Sequence, residues 1–116
     1  MIYIIKRKFI DQYLSYADIH TECTISGNYK KGNLASKKLF ELNTILKNNF
    51  EEDKEIIDQL IESSNPGAFL WISNVALDLH YRTDEVVNTI RQISHNKDLG
   101  IISFGAEMQL KTRNLL

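Results

Sequence analysis

Apolar residues recur along this chain at helical spacing. In the first segment Ile2, Ile5, Phe9, Tyr13 and Ala17 return every three to four residues, with Ile10 and Leu14 beside them. That period marks an amphipathic helix with one face toward a core. The pattern fades near Cys23, and Ser26-Gly27-Asn28 reads as its stop; whether Met1–Ile5 extends this helix or packs as a separate arm is left open. A second helix carries Leu34, Ala35, Leu39, Leu42, Ile45 and Leu46 and ends at Asn48-Asn49. Gly32 near its start lowers helix propensity by about 1 kcal/mol relative to alanine, which points either to close packing or to a later start. Asp53 reads as the N-cap of a third helix with Ile56, Ile57, Leu60 and Ile61, with Glu51 and Glu52 favouring the positive end of its dipole.

Ser63-Ser64-Asn65-Pro66 is the clearest punctuation in the chain. Asn65 is placed to cap, and Pro66 has the fixed φ and missing N–H that suit the first helical position. The helix it opens, to about Leu79, is apolar on nearly all sides, the pattern of a central buried helix. Thr83-Asp84-Glu85 starts a fifth helix through Val86, Val87, Ile90 and Ile93, and a sixth runs from about Leu99 to Lys111. Sliding the chain against itself by about 33 residues sets Ile57 on Ile90, Leu60 on Ile93, Gly67 on Gly100, Trp71 on Phe104 and Leu77 on Leu110, a period in the range of helical repeats. The expected fold is therefore all-α: about six helices in three stacked antiparallel hairpins (Ile2–Asn48, Asp53–Leu79, Thr83–Lys111), a HEAT- or armadillo-like α-solenoid. Each hairpin alone would leave an apolar face exposed, and stacking covers it.

Composition narrows the class without naming a task. The 116 residues suit one domain spanning 1–116, long enough to bury a core without disulfides or metals. One proline and five glycines leave little material for the turns of an all-β fold. A net charge of −1 argues for neither a nucleic-acid nor a membrane partner. Cys23 is the single cysteine and suits a reducing cytoplasm. No apolar run follows Lys6, Arg7 and Lys8, so the N-terminus does not read as a signal peptide, and no segment reaches membrane-spanning length. Cytoplasmic residence is the default expectation.

Residue chemistry argues against an enzyme. The chain holds no glycine-rich phosphate loop, no CxxC, no HExxH and no Gly-x-Ser-x-Gly elbow. His80 and His95 fall near helix C-termini, where an imidazole complements the dipole, and His20 reads as surface. His20 with Glu22, or His80 with Asp78, cannot share a metal, because an i, i+2 spacing points to different helix faces. Cys23 has Glu22 beside it, which disfavours a thiolate, so it reads as inert and partly buried. Trp71, in the most apolar helix, reads as core before it reads as a pocket wall. No cofactor and no metal are expected.

Charge is distributed unevenly. The second helix carries Lys30, Lys31, Lys37, Lys38 and Lys47 against Glu41, and the third region carries Glu51, Glu52, Asp53, Glu55, Asp58 and Glu62 against Lys54. Adjacent hairpins of opposite sign can simply attract one another. The functional reading takes Glu51, Glu52, Glu55, Asp58 and Glu62 as a partner-binding ridge, since Glu51, Glu55, Asp58 and Glu62 share one helix face and would steer a basic partner. The lysines also invite a nucleic-acid reading, but only Tyr29 is interleaved with them and the acidic cluster would repel phosphates.

The stretch Gly27-Asn28-Tyr29-Lys30-Lys31-Gly32-Asn33, followed by Ala35, Leu39 and Phe40, resembles the start of the second helix in a domain-of-unknown-function family of small bacterial HEAT-like proteins. Asn96-Lys97-Asp98-Leu99-Gly100-Ile101 with Gly105-Ala106-Glu107-Met108 and Leu110 is similar to that family's last helix, and Asn65-Pro66 fits its middle hairpin. The turn Pro66-Gly67-Ala68-Phe69 departs from the family's arginine- and proline-richer pattern. Members often occur beside polymorphic toxin genes. The resemblance thus implies an immunity protein, including those of contact-dependent growth inhibition, that binds and neutralises a cognate toxin domain in the cytoplasm. Many such toxins are basic nucleases, whose clefts an acidic ridge would cover. The alternative is a HEAT-like adaptor or scaffold in a housekeeping complex.

Overall fold

The glycine and asparagine punctuation partitions the chain into helices. A computed structural model describes the backbone of residues 2–116 and the side chains of residues 4–116. Its helices are α1 (Ile2–Ser26), α2 (Tyr29–Asn48), α3 (Phe50–Ile61), α4 (Pro66–Asp78), α5 (Thr83–His95) and α6 (Ile101–Thr112), with a 3₁₀ turn at Lys97–Leu99; no strand forms among the described residues. The protein is all-helical.

Local chemistry accounts for the boundaries. Gly27 takes φ +80°, where a side chain would be strained, and its N–H closes α1 on the Cys23 carbonyl at 3.0 Å. Asn28 then caps α2, its Oδ1 accepting from the Lys31 N–H at 3.4 Å. Gly32 lies inside α2 and is buried; a Cβ there would sit 3.1 Å from Cys23 Cβ, so the glycine marks close packing of α1 on α2. Asn65 accepts from the Ala68 N–H at 3.0 Å with Pro66 at the first helical position, as expected.

One expected boundary changes, and one that the sequence left open is decided for residues 2–5. Asp53 is not a cap. Asn49 both ends α2, through its N–H to the Ile45 carbonyl, and begins α3, its carbonyl accepting from the Glu52 and Asp53 N–H groups. One residue thus serves both helices and α3 starts at Phe50, with Asp53 inside its first turn. At the N-terminus, residues 2–5 continue α1, and Met1 lies outside the described residues. Ile4 and Ile5 are exposed, so among the described side chains the apolar stripe of α1 meets the core from Phe9 and Ile10 onward.

Tyr13, Leu39, Ile57, Ile72, Val86 and Leu110 are buried from α1 to α6 in one continuous apolar cluster. The helix order is set by cross-helix pairs. Lys47 on α2 meets Asp78 on α4 at a separation of 31 residues, and Phe40 stacks on Trp71 at the same separation. Asn74 and Asp78 on α4 meet Gln109 on α6 and Arg113 at its C-cap, each at a separation of 35. A constant separation means parallel helices, so α2, α4 and α6 lie side by side in one direction with α4 between. The 31- and 35-residue steps bracket the offset of about 33 found by self-alignment. α4 packs against every other helix, whereas α1 reaches past it to touch α6. The result is a slab of 40 × 33 × 21 Å, about two helix diameters thick.

Candidate functional site

The acidic residues of α3 are largely engaged within the molecule. Glu51 pairs with Lys54 at 3.3 Å and Glu55 with Lys6 at 3.4 Å. Asp58 accepts from the Tyr81 hydroxyl at 2.7 Å and from Arg82 at 3.0 Å, and Glu62 lies 3.4 Å from the same guanidinium. Arg82 also reaches Glu85 at 2.6 Å, so one side chain fastens the α4–α5 turn to α3. These hydrogen bonds, that to Glu85 foremost, raise the Arg82 pKa above its usual range and hold Glu85 below the usual carboxylate value. Glu52 has no ion-pair partner among the described residues. The structure therefore gives Asp58 and Glu62 a fastening role alongside any role in docking, a role the sequence spacing did not suggest.

The opposite pattern holds beside α2. Lys30, Lys31 and Lys37 are exposed and pair with no carboxylate among the described residues. Lys38 meets Glu41 at 3.7 Å and Lys47 is taken up by Asp78. Burial pushes the Asp78 carboxyl up, but hydrogen bonds from Arg113 and Lys47 outweigh it and leave Asp78 below its ordinary value.

An apolar groove of about 450 Å³ runs over the outer face of the parallel helices. Its floor is α4, from Gly67 through Leu70 and Trp71 to Asn74; Phe40 and the end of α1 form one wall, and Phe104 and Met108 of α6 form the other. Phe40 is 61% exposed, Phe104 55% and Met108 42%, so the largest apolar side chains here face solvent. Trp71 is only partly buried, which corrects its reading as core: the rings of His20 and Phe40 each stand nearly perpendicular to it with centroids 5.2 Å away. His20, read as surface, is a groove residue, and burial holds its imidazole below the ordinary 6.5.

Close approach of helices makes the groove. Gly67 is buried beneath α1, where a Cβ would meet Thr21 Oγ1 at 2.9 Å. Gly105 faces Leu70, where a Cβ would lie 3.6 Å from Leu70 Cδ1. At the far end Gln109 donates to Ser73 Oγ at 2.6 Å and to Asn74 Oδ1 at 3.2 Å, and Arg113 donates to Asn74 Oδ1 at 3.1 Å. The polar groups at that end are thus bonded to one another.

Cys23 is buried against α2. Among the described residues no three His, Cys, Asp or Glu side chains gather as a metal site, and no helix is long and apolar enough to cross a membrane. No protein-family model, curated protein or solved structure matches the chain.

The groove was not foreseen as a site, although one signal for it was present. The repeat register aligned Trp71 with Phe104, and both residues line the same groove from neighbouring parallel helices.

Proposed function

We propose that this chain is a protein-binding module acting as an immunity protein, which neutralises a cognate toxin domain in the cytoplasm by seating on it. The observation that carries the binding reading is the groove. A monomer seldom leaves Phe40, Phe104 and Met108 exposed around one cavity unless a partner covers them. The parallel order of α2, α4 and α6 supports the stacked-hairpin architecture, in which a face of this kind serves as a contact surface. The narrower immunity reading rests on the resemblance of Gly27–Phe40 and Asn96–Leu110 to the toxin-associated family.

The engagement of Glu51, Glu55, Asp58 and Glu62 with Lys54, Lys6 and Arg82 shifts the proposed contact from the acidic ridge to the groove. Exposed carboxylates that already hold partners contribute less to a new interface. Co-expression with the product of the neighbouring gene tests the function. The expected result is a co-purifying complex and relief of that protein's toxicity. A neighbour that is not toxic and does not co-purify would favour the adaptor reading, which the same groove supports.

A further inference from the structure

We infer that the groove receives an amphipathic helical segment of the partner, apolar on one side and flanked by acidic residues. This rests on the groove being the contact surface and adds the chemistry of what fills it.

Three observations select that occupant. First, the groove offers apolar contact and little else. Asn74 and Gln109 are already bonded to each other and to Ser73 and Arg113, so a polar small molecule would find few unmet partners there. Second, the floor from Gly67 to Asn74 is about two helical turns of α4, roughly 10 Å at 1.5 Å per residue. That length matches the i, i+3/i+4, i+7 anchors of a helix lying in a groove. Third, the α2 rim carries cations that are unpaired among the described residues. Lys37 stands one turn before Phe40 on α2, and Lys30 is two further turns along the same strip. On the α6 rim Lys111, one turn beyond Met108, is already paired with Glu107 at 3.8 Å, so that side is close to balanced. Among the described residues no Asp or Glu lines the groove. A helix with acidic flanks places charge against the α2 rim, and one with basic flanks is repelled there.

A second copy of this chain does not fit the description. Its acidic helix, α3, has Ile56, Ile57, Leu60 and Ile61 buried in its own core and presents no apolar side.

The test is a selection from displayed helical peptides with an apolar i, i+3/i+4, i+7 face and randomised flanks, bound to the full chain. The structure predicts enrichment of Asp and Glu at the flanks. Trp71 is the single tryptophan and lines the groove, so a selected synthetic peptide should shift its emission. The exposed-site variants Phe104→Asp and Lys37→Glu should each weaken that peptide by about tenfold or more, with Lys37→Glu also raising affinity for a lysine-flanked control. Neutral or basic flanks, no enrichment, an unmoved Trp71 signal, or concentration-dependent dimerisation that Phe104→Asp abolishes would each overturn the inference. A complex with the neighbouring gene product that tolerates both variants would overturn it while leaving the proposed function standing. Peptide binding at Trp71 without a toxic neighbour would do the reverse.

Discussion

The Tyr13 hydroxyl donates to Asn43 Oδ1 at 2.6 Å inside the core, and Asn43 Nδ2 in turn donates to the Trp71 carbonyl at 3.1 Å. Two side chains thereby join α1, α2 and α4 just behind the groove floor. Burial raises the Tyr13 pKa well above its usual value, so the phenol stays a donor. Asn43→Ala leaves that hydroxyl buried without a partner, and the expected loss is about 1–3 kcal/mol. Urea denaturation of Asn43→Ala, Tyr13→Phe and the double variant checks it. The losses should be smaller together than summed, and strict additivity would mean the bond contributes nothing.

Arg82 fastens three carboxylates while holding φ at +52°, a left-handed conformation that strains a side-chain-bearing residue. The two effects separate by substitution. Arg82→Ala keeps the strain and loses the pairs, whereas Arg82→Gly loses the pairs and relieves the strain. Thermal unfolding should rank Arg82→Gly above Arg82→Ala by about 1–2 kcal/mol. Equal stabilities would show that the turn relaxes away from this conformation.

Gly67 sits under Thr21, whose Oγ1 also donates to the Ala17 carbonyl at 3.1 Å. Gly67→Ala should therefore destabilise despite alanine's better helix propensity of about 1 kcal/mol. Adding Thr21→Ala removes the obstructing atom and should recover part of the loss. A double variant less stable than Gly67→Ala would place the conflict elsewhere.

Burial holds His20 below the ordinary 6.5, so on acidification the unfolded chain takes the proton first. The contribution to stability is complete above about 6.5 and declines as pH falls from there toward the lowered folded value. Melting temperatures measured at about pH 7.5 and about pH 5 should differ less for His20→Phe than for the parent. An NMR titration with the His20 midpoint at or above 6.5 would contradict the burial described here.

The acidic ridge and the groove can be separated by partner affinity. Asp58 is unsuitable for this because it holds Tyr81 and Arg82. Glu52→Lys with Glu55→Lys should change affinity for the proposed partner by only a few-fold, the range of exposed charge pairs, while Phe104→Asp should abolish a stable complex. Calorimetric titration giving the opposite order would restore the ridge as the interface.

All six helices were legible because each carries its own local evidence: apolar spacing, the Asn65-Pro66 cap, the Gly27 stop. Errors fell where one residue did two jobs, as Asn49 does in ending α2 and starting α3. The candidate site was much less legible. Trp71 lies in a helix that is apolar nearly all round, and sequence periodicity cannot say which part of such a helix is left open.

By itself, then, the sequence determined the helical class and most helix boundaries, because caps and periodicity act within a few positions. Only the tertiary structure decided which charges are already paired and which apolar residues remain uncovered. Lys6 meets Glu55 across 49 positions, and Trp71 and Phe104 share a groove because α4 and α6 pack side by side. Exposure and ion pairing depend on what the packed neighbours leave uncovered, and that is a property of the assembled helices rather than of any one of them.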